Sequence, residues 1–354
     1  MIDKKNFEKE YLSELINKYP IVDSTKMEMT IFAFGLLDEL IRSGLPLIFK
    51  GGTSLLLLLD KPQRVSTDID IIVPPTIDFD KTFERVKNRF PFFEGEERGK
   101  TPNKYFRHFY FSFKGPISKK ECRVNLDVVF EDNPYPRLVE KELSLPLFKT
   151  IGTKTFVSIP SPEALLGDKL TAFAPTTIGV NPFATSLGKE IDNRLQVMKQ
   201  FYDIARLYDV ITNIEDVLIS YKRCSEFENI FRNTNYSMKE TLLDTFNHSA
   251  EIASMGLWNK QSNFYSNVVR PGTMGLTTNI FDGKYNQLNA AKDAAKIMYL
   301  CACLLTDHNL NAKYEEQYKG NLIQAFKSVA DKESFELIRK SLQLLAENKI
   351  LSKN

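Results

Sequence analysis

Histidine is scarce in this 354-residue chain: His108, His248 and His308 are the only three, and no two are close in sequence. No His-Glu-x-x-His spacing occurs, so the usual helix-borne zinc site is excluded. Each histidine is expected to be exposed or hydrogen-bonded, and histidine general-base chemistry finds no support. Cysteine is almost as sparse. Cys122, Cys224, Cys301 and Cys303 lack Cys-x-x-Cys spacing, and the last two fall inside an apolar helical run. They read as reduced, buried thiols of a cytoplasmic protein, not as a disulfide frame or a zinc site. No uncharged apolar window approaches the ~18 residues of a membrane span. The charged N-terminal residues 1–9 carry no apolar core, so no secretory signal is expected. Neither sign of charge dominates: 47 basic and 45 acidic residues leave a net +2, which neither requires nor forbids a nucleic-acid partner. Gly-x-x-x-x-Gly-Lys-Ser/Thr, Gly-x-Gly-x-x-Gly and Gly-x-Ser-x-Gly are also missing, which removes the P-loop, Rossmann and serine-hydrolase readings. What remains is an ordinary globular profile, 43% hydrophobic and 26% charged, long enough for one large or two moderate domains.

The chemistry is concentrated in residues 50–73. A short apolar strand leads into Lys50-Gly51-Gly52-Thr53-Ser54-Leu55, then a leucine run, Arg64, Ser66, Asp68 and Asp70. Side chains alternate along a strand, so Asp68 and Asp70 point the same way, roughly 6–7 Å apart. Ile69, Ile71 and Val73 take the other face. Two like charges at that distance repel by about 2–3 kcal/mol at an effective dielectric near 20, a repulsion that a divalent cation relieves. The glycine pair before a helix lets backbone N–H groups approach a phosphate. A phosphate cradle beside paired carboxylates is equipment for metal-dependent chemistry on a nucleotide.

The rest of the chain frames that stretch. Residues 3–18 and 24–43 read as amphipathic helices, the second with a Thr25–Glu28 capping box. Residues 78–89 read as a helix and 90–103 as a loop. Residues 104–113 and 122–130 read as strands joined by a turn at Gly115 and Pro116. In the second of these Asp127 lies opposite Val124, Leu126 and Val128. It is either a solvent-facing aspartate or, if its strand neighbours Asp68 and Asp70, the third member of a carboxylate triad. The Asp-x-Asp nearby favours the triad. Ser161-Pro162-Glu163 starts a helix whose apolar stripe contains Lys169, which must snorkel or meet an anion. Residues 175–193 read as a loop able to close over a substrate. Residues 194–208 form a helix where Asp203, between Lys199 and Arg206, has the spacing of a surface ion-pair ladder. Lys189, Arg194, Lys199, Lys222 and Arg223 suit RNA phosphates or any solvated helix face. From residue 213 onward the chain reads as helices at 214–231, 237–255, 285–306, 313–329 and 331–349, with an irregular stretch at 256–283. A soft boundary near residue 210 follows.

Taken in order, Lys50-Gly51-Gly52-Thr53-Ser54-Leu55, Arg64-x-Ser66-x-Asp68-x-Asp70, Gly167-Asp168-Lys169-Leu170-Thr171-Ala172-Phe173, Thr176-Thr177-Ile178-Gly179, Arg194 and Lys199-Gln200-Phe201-Tyr202-Asp203-Ile204 resemble the AbiEii/AbiGii branch of the polymerase-beta-like nucleotidyltransferase superfamily. The resemblance covers roughly residues 45–210. It implies an α+β fold: a polymerase-beta-like core with a small mixed sheet and flanking helices in residues 1–210, and a helical C-terminal domain in 211–354. It further implies a toxin of a toxin–antitoxin or abortive-infection system, with a cognate antitoxin. The implied reaction transfers NMP from an NTP to an acceptor, foremost the 3′ end of tRNA. In that scheme Asp68, Asp70 and Asp127 hold Mg²⁺ or Mn²⁺, and Asp127 activates the acceptor hydroxyl. Lys50, Gly51, Gly52, Thr53, Arg64, Ser66 and Lys169 bind the nucleotide, and Asp203 orients Lys169 or Arg64. A protein acceptor and a catalytically inactive nucleotide-binding module are the alternatives.

Overall fold

Alternating apolar residues on three consecutive strands force a sheet with one buried face and one open face, and the chain folds accordingly. The computed structural model describes residues 1–99, 105–186, 188–310, 318, 320–327 and 330–351. It forms two compact units, Met1–Ser161 with Thr278–Gly283, and Pro162–Thr277 with Lys284–Asn354.

The first unit opens with a 3₁₀ turn and helix α1 (Lys9–Lys18), where a single longer helix was expected, and continues with α2 (Ser24–Arg42). It continues through β1 (Ile48–Lys50), α3 (Gly51–Leu58), β2 (Ile69–Val73), α4 (Phe79–Val86), β3 (Glu94–Glu97), β4 (Phe106–Lys114), β5 (Glu121–Phe130), β6 (Leu138–Glu142) and β7 (Phe156–Pro160). The seven strands make one mixed sheet in the order β3-β4-β5-β2-β1-β7-β6. Phe109, Phe111 and Phe113 of β4, Val124, Leu126 and Val128 of β5, and Ile69, Ile71 and Val73 of β2 share one face. They join a single core with Ile31, Phe34 and Leu37 of α2. Each such side chain contributes about 1.5–3 kcal/mol on leaving water. Phe32 stacks on Phe113 with ring centres 3.7 Å apart.

The described part of residues 90–103, expected as loop, contains β3, an edge strand of glycine and glutamates that carries no apolar alternation. The Thr25–Glu28 capping box does not form. Asp23 caps α2 instead, accepting the Lys26 N–H at 2.9 Å. Glu28 is fully buried and accepts the N–H groups of Ile117 at 2.7 Å and Ser118 at 3.3 Å, which pins the turn between β4 and β5.

The second unit contains α5 (Pro162–Ala172), a hairpin of β8 (Phe183–Ser186) and β9 (Lys189–Asp192), α6 (Arg194–Tyr208), α7 (Ile214–Arg232) and α8 (Met238–Ala253). After a π-turn at Tyr265–Val269 come α9 (Arg270–Thr277), α10 (Gln287–Thr306), a 3₁₀ turn at Asn321–Phe326 and α11 (Lys332–Glu347). The hairpin lies where a loop was expected, and α9 lies in the stretch read as irregular. Of the helix expected at 313–329, part falls outside the described residues and the described remainder is the 3₁₀ turn. The compact units divide after Ser161, which groups α5 and α6 with the helices that follow them. Gly167 explains why α5 lies so close to α7: a Cβ there would lie 2.6 Å from the backbone of Val217 and Tyr221. No described helix is long and apolar enough to cross a membrane.

Removing the carboxylate of Glu28 strands two N–H groups in the interior. Glu28→Ala is expected to lower stability by about 2–4 kcal/mol, and Glu28→Gln, which keeps one acceptor oxygen, by about half that, read from urea unfolding.

Candidate active site

Register decides the site. β2 and β5 run parallel with Asp70 directly beside Asp127. β1 pairs antiparallel with β2 so that Lys50 lies beside Asp70, and β4 pairs with β5 so that His108 lies beside Asp127. Partners in register share a face, so four neighbouring strands carry one row, His108–Asp127–Asp70–Lys50, on the face opposite the core. Asp68 precedes β2 by one residue and shares the side of Asp70. The Asn125 amide, next to Asp127 on the same face of β5, donates from Nδ2 to Asp68 Oδ1 at 2.8 Å.

His108 Nδ1 donates to Asp127 Oδ1 at 2.7 Å, and both side chains are about 40% exposed. The bond to the Asp127 carboxylate raises the His108 pKa above its ordinary value, against the opposing effect of burial.

The glycine turn packs against the acids. Gly51 has φ +77°, the left-handed region that glycine enters without strain. A Cβ at Gly51 would lie 1.9 Å from Asp70 Oδ2, and one at Gly52 would lie 2.6 Å from Arg64 Nη2 and 3.0 Å from Ser66 Oγ. Two residues without side chains therefore let Asp70, Arg64 and Ser66 close on the first turn of α3, where N–H groups lack helical partners. Thr53 is buried and its hydroxyl donates to the Asp68 carbonyl at 2.5 Å, so this side chain ties α3 to the start of β2. Arg64 is buried, bridges to Ile280 and donates from Nη1 to the Val65 carbonyl at 3.1 Å.

In the second unit Lys169 is buried on α5, and its Nζ lies 3.0 Å from Asp203 Oδ2 of α6, itself buried. Lys169 Nζ also donates to Gln200 Oε1 at 2.8 Å. Asp203 is thus no rung of a surface ladder. Arg206, one of its expected partners, pairs with Asp293 instead. Asp244 of α8 accepts the Thr176 N–H at 2.9 Å and the Thr177 hydroxyl at 2.8 Å, which fixes the turn after α5.

The sequence matches the family described as nucleotidyl transferase AbiEii toxin, type IV toxin–antitoxin system, over residues 36–261, more than half of the chain. The chain belongs to that family. It is accordingly a nucleotidyltransferase, and the family brings with it a nucleoside triphosphate substrate and an antitoxin partner. No match is found among curated protein sequences. Among solved structures, MenT4, a nucleotidyltransferase toxin from Mycobacterium tuberculosis H37Rv, is 13% identical, with a TM-score of 0.44, 94% of this chain and 98% of that one covered. JHP933 from Helicobacter pylori is 12% identical, with a TM-score of 0.44, 78% of this chain and 92% of that one covered.

In this AbiEii-family chain the first unit brings together Lys50, Gly51, Gly52, Thr53, Arg64, Ser66, Asp68, Asp70 and Asp127, and the second pairs Lys169 with Asp203. Among the described residues no three histidine, cysteine, aspartate or glutamate side chains form a metal cluster. The hard oxygen donors nevertheless suit magnesium, which is usually held by one or two carboxylates plus substrate phosphates and not by an all-protein cage. Two residues of the site escaped the sequence reading, His108 and Asn125. Extending the alternation of β4 and β5 through the turn at Gly115 puts both on the face of Asp127, which is the signal that was available.

Two outcomes follow. Gly51→Ala places a methyl group against Asp70 in a left-handed backbone, and is expected to cost about 1–3 kcal/mol in urea unfolding. Because His108 has a raised folded pKa, its contribution is complete below about pH 6.5 and is lost as the pH rises through the folded value. The melting-temperature gap between wild type and His108→Asn is therefore expected to be wider near pH 5.5 than near pH 8.5.

Proposed function

We propose that this nucleotidyltransferase transfers an NMP group from an NTP to the 3′ hydroxyl of an RNA, foremost tRNA, in the cytoplasm. The observation that carries the reading is the register of Asp70 beside Asp127, against the glycine turn that opens α3.

In this reading Asp68 and Asp70, with Asp127 beside them, hold a divalent cation, Mg²⁺ or Mn²⁺, together with the phosphates. When bound, that ion neutralises charge on the transferring group. Gly51, Gly52 and Thr53 offer backbone N–H groups to the phosphates, and Ser66 offers its hydroxyl. Lys50, Arg64 and Lys169 supply positive charge, with Lys169 oriented by Asp203. Asp127 takes the proton of the acceptor hydroxyl. The acceptor oxygen bonds to the α-phosphorus, the bond to the bridging oxygen breaks, and pyrophosphate leaves with the negative charge. His108 holds the Asp127 carboxylate in place by its hydrogen bond.

The test is incubation of the purified protein with labelled NTPs, Mg²⁺ and either total tRNA or lysate protein. Label on RNA is expected. Label on protein would replace the acceptor, and NTP binding without transfer would leave a nucleotide-binding module. Asp70→Asn is expected to lower the transfer rate on the order of 10³-fold. Full transfer and full toxicity in that variant would remove Asp70 from the chemistry.

A further inference from the structure

The open face of the sheet extends past the carboxylates. Tyr110 of β4 is the register partner of Asn125 on β5, and Asn125 is the residue that donates to Asp68. Tyr110, His108 and Asp127 therefore share one face. Tyr110 is half-buried, and two guanidinium groups bear on its ring: Arg98, just beyond β3, with Cζ 5.6 Å from the ring centre, and Arg123 of β5, also at 5.6 Å. Both arginines are exposed. None of these three residues belongs to the nucleotide-binding motifs.

A tyrosine ring fixed on a sheet, with two arginines close to it, is chemistry that can receive an unpaired base. Aromatic faces and guanidinium planes stack on any base, and the same cations meet the backbone phosphates. The position suits an acceptor. Tyr110 is two strands from β2, about 10 Å at ordinary strand spacing, within reach of the last nucleotides of a single strand whose terminal hydroxyl lies at the acids. Arg123 also pairs with Glu96 at 3.2 Å and Glu121 at 3.4 Å. Exposed pairs of this kind contribute little, so a phosphate can displace them.

We propose that Tyr110, flanked by Arg98 and Arg123, is the stacking platform for the single-stranded 3′ end of an RNA acceptor. The proposal rests on the nucleotidyl-transfer reading above and adds the place where the acceptor binds.

The experiment uses the full chain and a fluorescent RNA hairpin with an unpaired 3′ tail. Binding is read by anisotropy, and transfer from labelled NTP in the same buffer. Tyr110→Ala is expected to raise both the Kd and the KM for the RNA about tenfold or more, in line with about 1–3 kcal/mol per stacked base. Tyr110→Phe, which keeps the ring, is expected to stay within about twofold. Arg98→Ala is expected to weaken binding and to reduce the salt slope by about one. It lies on the surface, so it tests the platform even if Tyr110→Ala does not fold. RNA affinity unchanged in both Tyr110→Ala and Arg98→Ala overturns the platform, as does a wild type that binds no RNA tail or that labels protein only. Transfer to RNA with a KM indifferent to Tyr110 sinks the platform alone. Tyr110-dependent RNA binding without transfer to any acceptor keeps the platform and sinks the transfer reading.

Discussion

The in-register pairing of β2 with β5 is the constraint on which the site depends. It sets two carboxylates side by side on one sheet, about 5 Å apart at ordinary strand spacing. Nothing in the acids themselves favours that placement. The opposite face does: Ile69, Ile71 and Val73 are buried with Val124, Leu126 and Val128. A slip of either strand by one residue would turn its apolar set to solvent and its aspartate into the core. Three buried aliphatic side chains on the slipped strand, each contributing about 1.5–3 kcal/mol, outweigh one repulsion between partly solvated carboxylates, which is about 3 kcal/mol at an effective dielectric near 20 and less where water screens it.

The second unit solves a different electrostatic problem. A lysine and an aspartate, both nearly inaccessible to water, are held 3.0 Å apart on α5 and α6. Burying such a pair gains little in net stability, because each ion loses its hydration, but removing one partner leaves the other stranded. Gln200 adds a second acceptor for the ammonium at 2.8 Å. The result is a cation of fixed position, not a flexible surface lysine.

Much of this was legible in the sequence. The Asp-x-Asp stretch, its core-facing isoleucines, the strands carrying Phe109 and Asp127, and the start of α5 at Pro162 all follow from local periodicity and turn chemistry. What was illegible depends on contacts distant in sequence. β3 has glutamates and a glycine and is a strand only because Glu94–Glu97 pair with Phe109–Ser112. Glu28 looked like a helix cap and is instead the anchor of a turn about 90 residues away. Residues 278–283 join the first unit through the bridge of Ile280 to Arg64. Asp203 has the spacing of a surface ladder, and only the packing of α6 against α5 makes it the partner of Lys169.

The row across the open face also bears on how the sheet carries its acids. Asp127 is flanked by His108 and Asp70 by Lys50, so a positive or protonatable neighbour lies on the outer side of each carboxylate. Asn125 adds an amide donor to Asp68. The acids are therefore partly compensated by the protein itself, and the sheet can fold with the pair in place. The same compensation weakens the pull on a bare divalent cation, because the donors already occupy lone pairs that the cation would use. On the proposed reading, phosphates would tip that balance by bringing further hard oxygens to the ion and engaging the cations and N–H groups at the glycine turn. Metal and nucleotide would then each bind weakly alone and strengthen one another.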